Sequence, residues 1–239
     1  LLLAFVLRAW NLDWDRGTHL QPDERFWSDV AANVENPDEW RWSEVLDPEK
    51  STLNPRVYKP NYVYGTLPLW ASEAAAGVLM TDTMSWAGGM IDSVGIDVAR
   101  NEPAAEPIGN RLRFNTGYDV TIIGRLMSAL IDTMTVAAVF FLARELTDDR
   151  KVGLLAALLQ SLTVLHIQYA HFLGSEPWVA FFVTCGVWGS VRLARHRGGW
   201  RTRVFTAVAI GLAIASKLSG VAAVAAPFAA LMVVIGPEL

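Results

Sequence analysis

Two adjacent carboxylates, Asp23 and Glu24, are the residues whose types and spacing most directly suggest chemistry. They lie in Thr-His-Leu-Gln-Pro-Asp-Glu-Arg-Phe-Trp (18–27), just after an apolar N-terminal run, with His19 before them and Arg25 after them. An acidic pair at this position suits a general base that acts on a substrate arriving at a bilayer surface. The alternative is an ordinary helix N-terminus, since acids after a proline interact favourably with the helix dipole.

A further polar group lies between two apolar runs, in His-Ile-Gln-Tyr-Ala-His-Phe-Leu-Gly-Ser-Glu-Pro (166–177). A zinc site normally requires three protein ligands, and no third ligand is suitably spaced from His166 and His171. Each histidine is therefore interpreted first as an interfacial or packed residue with one hydrogen bond. Glu176 directly precedes a helix-starting proline, where it either caps the helix or faces the same cavity as Asp23.

Charged side chains also occur within or between the apolar runs. Intramembrane charges are costly, and such residues are paired or functional by default. Arg125 and Asp132 are seven residues apart on roughly the same helical face, although snorkelling of Arg125 at the membrane edge is the simpler alternative. Lys217, in Ala-Ser-Lys-Leu-Ser-Gly, and Lys59, in Tyr-Lys-Pro-Asn-Tyr, either bind a lipid phosphate or anchor a helix end.

The elements that position these residues are expected to be membrane helices. Hydrophobic residues make up 52% of the 239-residue chain and charged residues only 18%, and the apolar positions run on without an amphipathic period. Several runs approach the ~20 residues that a spanning helix needs. The sequence therefore predicts an all-α integral membrane protein. The nearly uncharged runs cover 118–143, 152–173, 177–194, 204–216 and 219–236.

Two links between these runs, 144–151 and 192–203, are rich in arginine and lysine. By the positive-inside rule both links are cytoplasmic, and the two spans between them return the chain to the same side. The run at 118–143 then crosses inward. Residues 11–117, which hold most of the acids but fewer than half of the bases, become a long extracytoplasmic loop.

Within this loop the sequence predicts two helices. The first covers 23–36 and is ended by an Asn-Pro pair. The second covers 65–80, which is apolar but is interrupted by Pro68 and Glu73, so it is expected to lie on the membrane surface or to be re-entrant. Residues 81–117 are expected to be irregular.

The chain as a whole is interpreted as one transmembrane domain over 1–239. Its first apolar run lasts about ten residues, too few for a span, so the sequence is interpreted as a piece truncated at both ends. The single cysteine, Cys185, excludes an intrachain disulfide. No basic patch with interleaved aromatic residues is present, which argues against a nucleic-acid partner.

Taken in order, five motifs resemble the membrane glycosyltransferases of the GT-C fold, and their protein O-mannosyltransferase and aminoarabinose transferase relatives in particular. Gln21 stands where many relatives have a second histidine, and Glu176 stands where many have aspartate. The motifs are His-x-x-Pro-Asp-Glu (19–24), Lys-Pro-Asn-Tyr (59–62), Gly-Arg-Leu (124–126), Leu-His-Ile-Gln-Tyr-Ala-His-Phe (165–172) and Ala-Ser-Lys-Leu-Ser-Gly (215–220).

The resemblance implies an inverting transfer of a sugar from a polyprenyl-phosphate donor to an acceptor hydroxyl, on the extracytoplasmic face of the plasma membrane. It implies that Asp23 is the general base, with Glu24 and Glu176 completing the catalytic carboxylates. The cations implied to bind the donor phosphate are Arg125, Lys59 and Lys217. The residues implied to contact the acceptor or the sugar are His19, His166, His171 and Tyr62. Some relatives use a divalent metal and others do not, so no cofactor is assigned.

Two other classes of function are consistent with parts of the sequence. In a transporter, Arg125, Asp132, Glu176 and Lys217 would line a substrate path, but transporters tend to show internal repeats and the sequence has none. In a scaffold without activity, Asp23 and Glu24 would be dispensable surface acids that point away from Glu176 and Lys217. The sugar, the acceptor and the oligomeric state stay open.

Overall fold

The computed structural model describes residues 1–18, 20–34, 41–79 and 117–235, and the regular structure of these residues is entirely helical. In chain order the helices are α1 (Leu2–Ala9), α2 (Pro22–Ala31), α3 (Trp42–Val45), α4 (Pro55–Tyr58), α5 (Leu67–Leu79), α6 (Gly117–Thr147), α7 (Arg150–Ser161), α8 (Val164–Ala170), α9 (Glu176–Ala194), α10 (Trp200–Ser216), a 3-10 helix (Leu218–Val224) and α11 (Ala225–Ile235).

Within these described ranges, two helices are long and apolar enough to cross a membrane, in α6 over Val120–Thr147 and in α9 over Glu176–Ala194. The pair α7 and α8, bent by 58°, adds a third crossing if it is one span. Leucines of α7 are exposed, as expected of side chains that contact lipid tails. The chain is therefore an all-α integral membrane protein, as the sequence predicts.

The run predicted at 152–173 is broken after Ser161. The hydroxyls of Ser161 and Thr163 donate hydrogen bonds to carbonyls of the preceding turn, at Leu158 and Leu159. Such back-bonding competes with the helical ladder and bends helices. The apolar composition of the run does not predict this break, because the bend depends on two polar residues among many leucines.

The packing of the chain separates two compact units, and each is described by itself. The bundle unit consists of Leu1–Ala9, Met127–His171 and Ser175–Leu239. The loop unit consists of Trp10–Leu126 and Phe172–Gly174. The sequence-based interpretation of a single domain stays a prediction.

In the bundle unit, α9 and α10 pack through small residues, as is common between membrane helices. A Cβ on Gly189 would overlap the side chain of Thr206, and a Cβ on Gly186 would lie 2.9 Å from Ile210. Close backbone approach at these two glycines therefore holds the pair together.

The ends of α6 and α9 also meet in the bundle unit. Arg197 donates hydrogen bonds to Glu145, at 3.3 Å, and to Asp148, at 2.5 Å. Arg195 donates to the Glu145 carbonyl and to the Asp148 carboxylate. The hydrogen bonds from Arg197 lower the pKa of Asp148. The two Arg-rich links thus lie together within the bundle unit.

The loop unit holds α2 to α5 and a cluster of aromatic side chains. Tyr62 is buried, stacks on Phe26 and contacts Trp27 edge-on. Helix α5 confirms a helix within 65–80, and its predicted surface-lying or re-entrant placement stays a prediction. Helix α2 ends at Ala31, before the predicted end at residue 36. The Asn33 amide donates a hydrogen bond to the Asp29 carbonyl and so occupies an acceptor of the last turn. The region predicted to be irregular, 81–117, lies almost entirely outside the described residues.

Candidate functional site

The N-terminus of α2 holds the acidic pair in two different environments. Gln21 is the N-cap, and its side-chain oxygen accepts a hydrogen bond from the backbone N–H of Glu24. Pro22 occupies the first helical position, where its missing N–H costs nothing. Asp23 is exposed, whereas the side chain of Glu24 is 0% exposed. The two adjacent acids therefore differ in their access to solvent.

Glu24 is ion-paired with Arg125 in the interior of the loop unit. Arg125 Nε donates to Glu24 Oε1 at 2.8 Å, and Nη2 donates to Oε2 at 2.5 Å. The backbone N–H of Leu173 donates to Oε1 at 2.7 Å. Such a fork is the strongest geometry available to an arginine and a carboxylate. The position of Glu24 is therefore fixed from two sides.

Asp15 completes this cluster. Arg125 Nη1 and Nη2 each donate to one of its oxygens at 2.9 Å, and Nη1 also donates to the Leu12 carbonyl at 2.7 Å. Burial by itself raises the pKa of Asp15, but the hydrogen bonds and charge of Arg125, with the N–H groups of Leu20 and Gly17, outweigh it and lower that pKa. Asp15 is thus held ionised.

Arg125 has no donor left for another ligand in this arrangement. A guanidinium carries five N–H groups, and all five point at Glu24, Asp15 or Leu12. Its side chain is 1% exposed, and the Trp14 ring lies 5.5 Å away. The structure thus brings Arg125 to Glu24 and Asp15.

Packing around the cluster is tight. The Ser28 and Thr121 hydroxyls are 2.5 Å apart, which joins α2 to α6. A Cβ on Gly124 would overlap the Leu173 side chain, so only glycine lets α6 approach the backbone that binds Glu24. The Gly-Arg-Leu motif therefore has a physical basis in its first two residues.

A second buried ion cluster lies in the bundle unit, around Asp132. Arg8 Nε donates to Asp132 Oδ2 at 2.6 Å, and both side chains are essentially inaccessible. His166 Nδ1 is 2.6 Å from Asp132 Oδ1. Asp132 thus finds partners in α1 and α8.

Glu176 and Lys217 form an ion pair in the same unit. Lys217 Nζ donates to Glu176 Oε1 at 2.7 Å, and about a third of each side chain is exposed. Glu176 also borders a cleft of about 190 Å³. The residues that line this cleft are Asp132, Leu165, His166, Tyr169, Glu176, Pro177 and Ala180.

Three further predicted residues make contacts of their own. Lys59 pairs with Asp29 at 2.5 Å on the surface of the loop unit. Tyr62 donates its hydroxyl to the Gly65 carbonyl at 2.9 Å, and burial raises its pKa. His171 Nδ1 is 2.7 Å from the Ile167 carbonyl at the end of α8. His19 lies outside the described residues.

Sequence reasoning missed Asp15 and Arg8. Each lies near the end of the N-terminal apolar run and resembles an ordinary interfacial charge. Arg125 and Asp132 offered a signal for them, because a charge within an apolar run requires a partner of opposite charge. No group of three potential metal ligands occurs in the part of the chain that the structure describes.

The helices and the paired buried charges define an all-α membrane protein with polar sites within its units. A family model for dolichyl-phosphate-mannose-protein mannosyltransferase matches residues 96–235, more than half of the chain. The chain belongs to this family, which is a family of membrane glycosyltransferases with lipid-linked sugar donors. No curated protein and no solved structure gives a significant match.

The matched segment includes most of the bundle unit and Arg125, whereas Asp23 and Glu24 precede it. The family assignment therefore rests on residues other than the acidic pair.

Proposed function

We propose that this protein transfers a mannosyl residue from a polyprenyl-phosphate donor to an acceptor hydroxyl, with inversion, at the extracytoplasmic face of the plasma membrane. Membership of the mannosyltransferase family supports the donor and the sugar. The Arg-rich links that lie together at the ends of α6 and α9 support the orientation, since such links favour the cytoplasm. The motifs shared with aminoarabinose transferases support a relationship with that group as well.

The observation that carries the proposal is the contrast between Glu24 and Asp23. Both Glu24 oxygens accept hydrogen bonds from Arg125, and one also accepts from Leu173. A general base needs a lone pair that the acceptor hydroxyl reaches. Asp23 is exposed beside this anchored residue, so it is the better base, and Glu24 is a positioning residue.

In the reaction, the acceptor oxygen attacks the anomeric carbon from the face opposite the phosphate. The carbon–oxygen bond to the phosphate breaks, and its electron pair leaves with the polyprenyl phosphate. The acceptor proton passes to Asp23. This assistance typically contributes about 100- to 10,000-fold to the rate.

The leaving phosphate requires fixed positive charge. Because all donors of Arg125 are occupied within its cluster, we assign Arg125 to holding Glu24 and not to the phosphate. Lys59 and Lys217 are the better candidates, since about a third of each side chain is exposed and each pairs with a partly exposed carboxylate. A phosphate competes more readily for such an ion pair than for a buried fork.

Donor transfer in membranes from cells that express the protein tests this function. Labelled mannose on a polyprenyl phosphate should appear on an acceptor, with one equivalent of polyprenyl phosphate released and the anomeric configuration inverted. A donor that carries a different sugar should react more slowly. Movement of label across the membrane without attachment to any acceptor would overturn the proposal in favour of a transporter.

A further inference from the structure

The two links that follow the spanning helices of the bundle unit carry an excess of positive charge. Together, 144–151 and 192–203 hold eight arginines and lysines but only three acidic residues. Five arginines of the second link form a group that we call the arginine face. Two of the three acids, Glu145 and Asp148, form ion pairs with it, so the protein neutralises at most two of its five charges. The members of the arginine face are Arg192, Arg195, Arg197, Arg201 and Arg203.

Three aromatic rings hold the start of α10 against α6 and α9. The Trp188 ring stacks on Phe141 with 5.2 Å between the ring centroids, and it meets Phe205 edge-on at 5.7 Å. The Arg192 guanidinium lies 5.7 Å from the centre of the same Trp188 ring. The arginines at the end of α9 and at the start of α10 therefore belong to one end of the bundle unit.

Arg201 and Arg203 are exposed and have no ion-pair partner among the residues that the structure describes. Both lie in the first turn of α10, which contains no acidic residue. Cations are unfavourable there, because the helix dipole is positive at this end. The Arg201 guanidinium lies 5.8 Å from the centre of the Trp200 ring, and Trp200 is 69% exposed. The described part of the chain thus leaves two adjacent positive charges uncompensated.

Hydrogen-bond donors also exceed acceptors near the arginine face. Arg192 Nε is buried without an acceptor among the described residues, and the closest approach of a carboxylate, Glu145 Oε2, is 3.9 Å. This distance is too long for a hydrogen bond. The buried Nε1 of Trp188 likewise has no acceptor in the part of the chain that the structure describes. The surface therefore favours a ligand that is negatively charged and offers several acceptor oxygens.

The position of the arginine face indicates which ligand this is. The apolar span in α6 ends at Thr147 and that in α9 ends at Ala194, so the links that follow them lie at the level of the lipid headgroups. Exposed tryptophan is typical of this level, and anionic lipids attract arginine and lysine there. We propose that the arginine face binds the phosphate groups of anionic phospholipids, with Arg201 and Arg203 donating to the phosphate oxygens. This binding does not depend on the proposed sugar transfer.

Native mass spectrometry of the complete chain in a nonionic detergent tests the proposal. The probes are dioleoylphosphatidylglycerol, dioleoylphosphatidylcholine and inorganic phosphate, each added in a separate titration. Phosphatidylglycerol should bind at least tenfold more tightly than phosphatidylcholine, whose choline group cancels the charge of its phosphate. Inorganic phosphate should show no binding at concentrations that saturate phosphatidylglycerol, because it lacks the acyl chains that hold a lipid at this surface.

The double variant Arg201→Gln with Arg203→Gln locates the binding. Loss of two cations near a membrane surface corresponds to a factor of about 30, so phosphatidylglycerol affinity should fall at least tenfold. The matched control is Arg41→Gln with Lys50→Gln, which removes the same charge from exposed side chains of the loop unit. Its affinity for the lipid should equal that of the wild type. Melting temperatures without added lipid show whether each variant is folded.

Several results would overturn the proposal. Equal affinity of the wild type for the two lipids would exclude recognition of the anionic headgroup, whether or not the variants fold. An unchanged affinity in the arginine variant, or an equal loss in the control, would remove the binding from the arginine face. Binding of inorganic phosphate as tight as that of phosphatidylglycerol would assign the face to a soluble anion. Since lipid binding is measured without any sugar donor, these outcomes are distinct from a failure of sugar transfer.

Discussion

Arg125 and Glu24 are joined by two hydrogen bonds in the buried part of the loop unit, although 101 residues separate them in the chain. This fork connects the first helix turn after the N-terminal run to the start of α6. It also accounts for the different environments of two adjacent acids, because one is fixed in the interior while the other stays exposed.

The variant Glu24→Gln should lower the stability of the protein by roughly 1.5–3 kcal/mol, the range for hydrogen bonds to charged groups. The glutamine amide presents a donor where Arg125 or Leu173 also presents one. Thermal unfolding in detergent measures the change. Glu44→Gln is the matched control, since the Glu44 side chain is 58% exposed, and its melting temperature should not move. Equal melting temperatures for both variants would contradict the buried fork.

The variant Arg125→Lys separates the two roles considered for this residue. Lysine keeps the charge but has three donors in place of five, so the cluster should lose about 2 kcal/mol or more of stability. The measurements are the melting temperature and the KM for the donor. An unchanged melting temperature with a raised KM would instead support a direct contact between Arg125 and the donor phosphate.

The buried charges show which features the sequence could predict and which it could not. The helical membrane class and the helix at 65–80 follow from composition, whereas the roles assigned to Asp23, Arg125 and Lys217 stay predictions. The partners of the buried charges do not follow from the sequence, because Arg8 and Asp132 are 124 residues apart and no local pattern relates them. Burial of Glu24 beside exposed Asp23 likewise depends on a distant backbone N–H, that of Leu173.

Glu73 in α5 predicts a dependence of stability on pH. Its side chain is buried, its Oε1 has no hydrogen-bond partner among the described residues, and burial raises its pKa to about 8. The folded state therefore favours the protonated acid. Stability should be fully present below about pH 4.3, the ordinary pKa of glutamate, and should decline as the pH rises to about 8.

The variant Glu73→Gln tests this dependence. The neutral amide removes the cost of ionisation, so the variant should be more stable than the wild type at pH 7 and should lack the decline. Melting temperatures at a series of pH values measure both effects. A decline of the same size in Glu73→Gln would assign the dependence to another group.

The variant Gly124→Ala tests the packing of α6 against Leu173, and Gly211→Ala is its control. In Gly124→Ala the new methyl group would overlap Leu173, and such overpacking typically costs about 1–3 kcal/mol. Gly211→Ala in α10 meets nothing within 4 Å, so it should be neutral or stabilising by about 0.5–1 kcal/mol. Thermal unfolding compares the two. Equal effects would mean that α6 and Leu173 are not in close contact.

Sugar transfer by Asp23→Asn tests the central claim most directly. Asp47→Asn is the matched control, because Asp47 accepts from the Glu49 N–H through an oxygen that asparagine retains. With equal membrane abundance, Asp23→Asn should lose transfer by about 100- to 10,000-fold, while Asp47→Asn stays at the wild-type rate. Transfer by Asp23→Asn within twofold of the wild type would contradict the assignment of Asp23 as the base.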